Sequence, residues 1–263
     1  MTKVCVFDSG IGGLTVVKSL LRTFPDWHYI YLGDTARLPY GNKSPQTIRS
    51  YLEQCLGYLE QFDPDVYVVA CNSASTQAHE KEWKGRPLFN VIDPVIDEVI
   101  QKTQNNKVGV IATRATVNSR IFSHKINTKN PNIAVIEQAC PLFVPLAEEG
   151  WIDDPITNLI AYRYLTPLRA EKCDTVVLGC THYPILVNSV KKALSNQVCL
   201  ISSGEALAQL MQNHFQVSKS PHCENHFIPK LDVLVTDLSP NISIMIQLIL
   251  GKECNVPIKW VTL

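Results

Sequence analysis

Short apolar runs rich in β-branched residues alternate along this chain with stretches of helical periodicity, and that alternation restricts the fold more than any other feature. The runs lie near 3–8, 28–32, 66–70, 88–92, 107–112, 133–137, 175–179, 198–202, 231–236 and 257–262. Strands separated by helices pair in parallel, and parallel sheets need helices on their faces. Helix starts are marked by Ser44-Pro45, Asp93-Pro94, Asp154-Pro155 and Ser239-Pro240. Each sets a capping side chain before a proline at the first helical position.

Sliding the chain against itself exposes a degenerate repeat. "KVCVFDSG" at 3 matches "KVGVIATR" at 107, and the strand before Cys71 matches the strand before Cys180. "NVIDP" at 90 falls on "CLISS" at 199 with the same displacement as that second pair. The expectation is an α/β protein of two pseudo-symmetric parallel-sheet domains with its active site in the cleft between them. Two later strand signals, "LDVLVTD" and "PIKWVTL", have no counterpart in the second half and are assigned to the first. The expected domains are therefore 1–93 plus 205–263, and 94–204, with two crossings that suit a hinged cleft.

Composition narrows the partner. The 263 residues are 46% hydrophobic, enough for a buried core, and 24 basic residues balance 24 acidic ones without a basic run. Neither nucleic acid nor an anionic membrane is indicated, so a small molecule is the expected partner. No apolar run approaches the ~18 residues of a membrane span. "MTKVCVFDSG" places an acid and a glycine where a secretory leader needs unbroken apolar residues, which points to the cytoplasm. Nine cysteines without framework spacing fit a reducing compartment.

Two of those cysteines share a setting. "YVVACNSAST" at 67 and "TVVLGCTHYP" at 175 each carry an apolar strand directly into a cysteine and then polar residues. Buried free cysteine is common as a small core residue, and that reading fits Cys71 or Cys180 taken alone. Ligands of open parallel sheets, however, sit beyond the carboxyl ends of the strands, where both cysteines fall. A helix is expected from about Ser73 and another from Pro184, and a helix N-terminus lowers a thiol pKa from ~8.5 toward neutrality. Two facing thiols supply a base on one side of a carbon and an acid on the other, as inversion by proton exchange requires.

At this point the chain resembles the glutamate racemases of the cofactor-independent aspartate/glutamate racemase superfamily. The matching stretches are "FDSGIGGLTV" at 7, "YLGDTARLPYG" at 31, "ACNSAS" at 70, "GVIATRATVNS" at 109, "CPLFVPLAEEG" at 140 and "LGCTHYP" at 178. The resemblance implies interconversion of L- and D-glutamate without any cofactor or metal, supplying D-glutamate for peptidoglycan and cell-wall biogenesis. It implies that Cys71 and Cys180 are the acid/base thiols, with Asp8 as proton partner of Cys71, His182 as proton partner of Cys180, and Glu148 as a further acidic group. Asp8 with Ser9, Tyr40 with Gly41, Asn72 with Ser73, and Thr181 with His182 then bind substrate. Ser73 stands where the family usually has threonine, and Ala147 where valine is common. The oligomeric state is open, a homodimer being allowed.

Other readings of the same residues compete. "DSGIGG" misses the dinucleotide fingerprint because Thr15 stands where its third glycine is needed. Asp8 could simply end a strand and cap a helix, His182 could be a satisfied core histidine, and Glu148 beside Glu149 could be solvated. Tyr40 and Arg37 could serve turn chemistry alone. His214, His222, Cys223 and His226 are zinc-ligand types, but their spacing fits no standard finger. A Cys-His hydrolase or amidotransferase would leave one cysteine unused, and a non-catalytic amino-acid binding module is commonly exported.

Overall fold

The apolar runs at 3–8, 28–32, 66–70, 107–112, 175–179 and 231–236 become strands because their side chains alternate between two buried faces. In the first strand Val4 and Val6 point into one core cluster while Cys5 and Phe7 point into another. The computed structural model describes residues 1–217, 230–251 and 256–263. The strands are β1 (Lys3–Asp8), β2 (His28–Gly33), β3 (Val66–Val69), β4 (Glu82–Trp83), β5 (Arg86–Asn90) and β6 (Lys107–Ala112). They continue with β7 (Ala134–Ala139), β8 (Thr175–Gly179), β9 (Cys199–Ser202), β10 (Leu231–Val235) and β11 (Ile258–Trp260). The helices begin with α1 (Leu14–Thr23), α2 (Pro45–Leu59), α3 (Asn72–Ser75), α4 (Asp93–Lys102), α5 (Arg114–Ser119) and α6 (Ile121–Lys129). They end with α7 (Phe143–Glu148), α8 (Pro155–Tyr164), α9 (Thr166–Ala170), α10 (Val187–Leu194), α11 (Ser203–Phe215) and α12 (Ile242–Leu250).

The result is the expected α/β architecture. A seven-stranded sheet runs β11-β10-β2-β1-β3-β5-β4, and a four-stranded sheet runs β7-β6-β8-β9. All pairings are parallel except the short β4 against β5. Sequence reading missed β4, whose two residues carry no apolar pattern. The two late strands join the first sheet, β10 beside β2 and β11 beside β10. Helices α1, α11 and α12 cover one face of the first sheet and α2 the other. On the second sheet α4 and α6 lie on one face, with α7, α8 and α10 on the other.

The strand order β2-β1-β3-β5 repeats as β7-β6-β8-β9, which accounts for the internal repeat. Two of the three matches are in register, since Val4 pairs with Val66 as Val108 pairs with Thr175. The third is shifted. Tyr67 pairs with Leu88 and its equivalent Val176 pairs with Leu200, so Leu200 answers to Leu88. The turn between β3 and β5 has a different length from that between β8 and β9, and gapless sliding cannot follow it.

Two helix starts also differ from expectation. Ser44 and Asp154 cap α2 and α8 as foreseen, accepting from the N–H of Thr47 and Ile156. Asp93 instead lies inside α4, bonded to Lys81, Lys125 and Asn90, and Asn90 Oδ1 takes the Ile92 and Asp93 amides. At the last helix Asn241 is the flanking residue, and Ser239 contributes only its backbone carbonyl, to Ile242.

Candidate active site

Parallel strands deliver their carboxyl ends to one edge of a sheet, and here the two edges face each other. Asp8 ends β1, Cys71 follows β3 by two residues, Thr113 follows β6 and Cys180 follows β8. Between them lies a pocket enclosing about 370 Å³ of empty space, part of it open to solvent. Ser9, Tyr40, Gly41, Cys71, Asn72 and Ser73 line it from the first sheet's side, and Glu148, Cys180, Thr181 and His182 from the second's. Both thiols are buried, and Cys180 lies close enough to act on Cys71 as a nearby charge.

Asp8 is the one candidate that does not line the pocket. It is fully buried behind it, its carboxylate accepting from Gly10 N (2.9 Å) and from Thr181 Oγ1 (3.3 Å). Burial pushes its pKa upward, opposed by His182, by the Gly10 and Gly13 amides and by Thr181. Asp8 thus bonds to the segment carrying Cys180, whereas the hydroxyl next to Cys71 is that of Ser9, 3.3 Å from its Sγ. Toward Cys71 the Asp8 carboxylate acts as a nearby negative charge.

The expected lowering of the Cys71 pKa is absent. The helix after Cys71 is one turn, α3, and its contribution is an Ala74 N–H at 3.4 Å from Sγ. Burial outweighs it and, with Asp8 nearby, pushes the thiol up to about 12. The helix expected from Pro184 is a 3-10 turn over Tyr183–Leu186 with α10 starting only at Val187, so Cys180 precedes a 3-10 turn and not an α-helix.

Cys180 has a different neighbour. His182 Nδ1 lies 4.0 Å from its Sγ while Nε2 lies 3.1 Å from Glu148 Oε1. Burial alone would lower the imidazole pKa, but the contacts with Cys180 and Glu148 more than reverse this and raise it to about 10. Glu148, not the adjacent Glu149, therefore orients the ring, although its side chain remains partly exposed. Gly12 allows this packing, because a Cβ there would stand 2.5 Å from His182 Nδ1.

The Tyr40 loop is more than a surface turn. Tyr40 is buried, its hydroxyl donating to Asp34, which also receives Arg37 Nε at 2.6 Å and Thr236 Oγ1 at 2.9 Å. Gly41 packs flat against Thr113, whose hydroxyl meets Ser73 Oγ at 2.9 Å. Sequence reasoning missed Thr113 along with Gly10, Leu38, Pro39 and Val144 in the wall. The repeat held the signal for Thr113, since aligning "KVCVFDSG" with "KVGVIATR" sets Ser9 on Thr113.

Among the described residues no cluster of three or more His, Cys, Asp or Glu side chains could hold a metal ion. His214 packs edge-on against Phe89 and Phe215, and His222, Cys223 and His226 lie outside the described residues. No helix among the described residues is long and apolar enough to cross a membrane.

Comparison with known proteins places this geometry. The model of the Asp/Glu/Hydantoin racemase family matches residues 10–211. A glutamate racemase from Aquifex pyrophilus is 42% identical over 256 residues, covering 97% of this chain and 96% of its own. The crystal structure of a glutamate racemase isoform from Bacillus anthracis superposes with a TM-score of 0.90 at 30% identity, covering 100% of this chain and 98% of that one. That of the Francisella tularensis glutamate racemase, in complex with D-glutamate, gives 0.87 at 34% identity over 99% and 97% of the two chains. With the family match spanning most of the sequence and both sheets superposing, the chain belongs to the Asp/Glu/Hydantoin racemase family.

Proposed function

We propose that this protein is a glutamate racemase that interconverts L- and D-glutamate by a two-thiol acid/base mechanism. The observation carrying this reading is that equivalent positions of the repeat, after β3 and after β8, bring two thiols to one pocket. One thiolate takes the Cα proton, the other thiol returns a proton to the opposite face, and the roles exchange for the reverse reaction. The naming of the similar proteins from Aquifex and Bacillus, and the D-glutamate complex of the Francisella protein, support glutamate as substrate.

The two faces are not primed alike. His182, with its pKa raised to about 10 between Cys180 and Glu148, is protonated at neutral pH and is the proton partner of Cys180. Cys71, raised to about 12, is the thiol poised to give its proton, with Ser9 beside it. Cys180 acting as base and Cys71 as acid is the arrangement for one direction, and a completed turnover leaves the arrangement for the other. Backbone and hydroxyl donors of Ser9, Asn72, Ser73 and Thr181 receive the substrate's charged groups, and the buried setting strengthens each contact with the developing carbanion.

The reaction as proposed uses only the chain's own groups, without cofactor or metal, and its product serves peptidoglycan synthesis in the cytoplasm. Residues 1–93 plus 205–263 and 94–204 form the two domains that close on the substrate. Incubation with L-glutamate, followed by chiral chromatography, is expected to reach equal amounts of both enantiomers, with L-aspartate turned over far more slowly. An unchanged L-glutamate peak, or faster racemisation of aspartate, would sink the assignment.

A further inference from the structure

Asn72 borders the pocket and is almost wholly buried, yet its side-chain Oδ1 has no hydrogen-bond partner. An orphaned carbonyl oxygen in such a place costs free energy unless a ligand supplies the missing donor. What holds the carboxamide in that orientation is Ser203, the first residue of α11, whose Oγ lies 3.1 Å from Asn72 Nδ2. The assignment of nitrogen and oxygen follows from counting protons. A serine hydroxyl has one, and here it is donated to the Leu178 carbonyl of β8 at 3.3 Å. Ser203 Oγ therefore accepts from Asn72, so the amide nitrogen must face it. Ser203 is absent from the pocket wall, so the nitrogen is held by a group outside the pocket and the oxygen is the amide atom left without a partner.

We propose that Ser203 is a positioning residue that fixes the Asn72 carboxamide with its oxygen toward the substrate's α-ammonium group. The proposal rests on the glutamate reading above and adds a residue outside the pocket to it. Rigid elements hold Ser203 itself. Its hydroxyl is anchored to β8, and the adjacent Gly204 lies so close to α1 that a Cβ would meet Val16 Cα at 3.0 Å. Without the Ser203 hydroxyl the amide is free to turn its NH2 toward the pocket, where it would oppose a cation.

The test compares two ligands that differ by the ammonium group, glutamate and glutarate. Ser203→Ala is expected to raise KM for L- and D-glutamate by the same factor, roughly ten- to hundredfold, which is the span of a lost charge-assisted hydrogen bond. Inhibition by glutarate should stay within about twofold of wild type, because uniform damage to the pocket would weaken both ligands. In an Asn72→Ala background the same Ser203 change should add nothing further. Should Ser203→Ala lose its fold, Ser203→Cys keeps the volume with a poor acceptor, and the same comparison holds. Unchanged glutamate KM, parallel loss of glutarate binding, or additive effects in the double variant would each overturn the proposal. Failure of the wild-type protein to racemise glutamate would instead remove the functional reading itself, and is measured first.

Discussion

At Cys71 two influences on one thiol oppose each other, and their sizes decide the outcome. A helix end favours the thiolate, but α3 has one turn, while burial and the Asp8 carboxylate favour the neutral form. The sequence showed a cysteine before a helix; it could not show how short that helix is or how completely the thiol is enclosed. With the pKa pushed up to about 12, the thiolate population of ligand-free protein grows with every pH unit below that value. Alkylation of Cys71 by iodoacetamide, followed by peptide mass spectrometry, should accelerate about tenfold per pH unit from 7 to 10 without levelling off. A plateau near neutrality would mean that the helix end wins. His182 gives a second test on the opposite face. Because the enantiomers have equal free energy, His182→Asn must lower kcat/KM equally in both directions, by about 10²–10⁴-fold. On the reading that Cys180 is the thiol that takes the proton from L-glutamate, transfer at Cys180 then limits the rate, so L-glutamate deuterated at Cα should show a larger isotope effect than deuterated D-glutamate. Equal effects would dissociate His182 from Cys180. No mirror-image result is expected of Asp8→Asn, since Asp8 reaches Thr181 beside Cys180 as well as influencing Cys71.

At the scale of elements, the sequence is most legible where a short-range rule meets no competitor. The central strands β1, β2, β3, β6 and β8 came through because both of their faces are buried, and α2 and α8 because proline fixes the first turn behind a free capping side chain. Asp93 failed as a cap because Lys81 and Lys125, far off in sequence, hold its carboxylate and leave Asn90 to cap. The first and last capping sites can be told apart by measurement. Ser44→Ala removes the oxygen that accepts from Thr47 N and should cost about 1 kcal/mol in urea unfolding. Ser239→Ala, at an exposed position that uses only its backbone, should stay within about 0.5 kcal/mol. Equal losses would show that Ser239 caps α12 in solution.

At the scale of the whole molecule, the site exists only because two sheets approach each other, and the contacts that join them were the least legible part. Thr15 Oγ1 donates to the Thr181 carbonyl at 2.9 Å, Thr181 Oγ1 to Asp8, and the hydroxyls of Ser73 and Thr113 meet, all between residues distant in sequence. The repeat predicted that two cysteines face one pocket; it said nothing about which hydroxyl meets which. Gly12 marks the tightest approach. A methyl there would collide with the buried His182 ring, so Gly12→Ala should lower kcat/KM at least about tenfold while the protein still unfolds cooperatively. Full activity would show that the loop can retreat from His182. The central claim, that Cys71 and Cys180 work on opposite faces of one carbon, is tested most directly by racemisation in heavy water. Wild-type protein given L-glutamate should lose optical rotation to zero while the D-glutamate formed carries solvent deuterium at Cα. Cys71→Ala and Cys180→Ala should each abolish that racemisation. D-glutamate formed without solvent deuterium, or wild-type turnover by either alanine variant, would contradict the account.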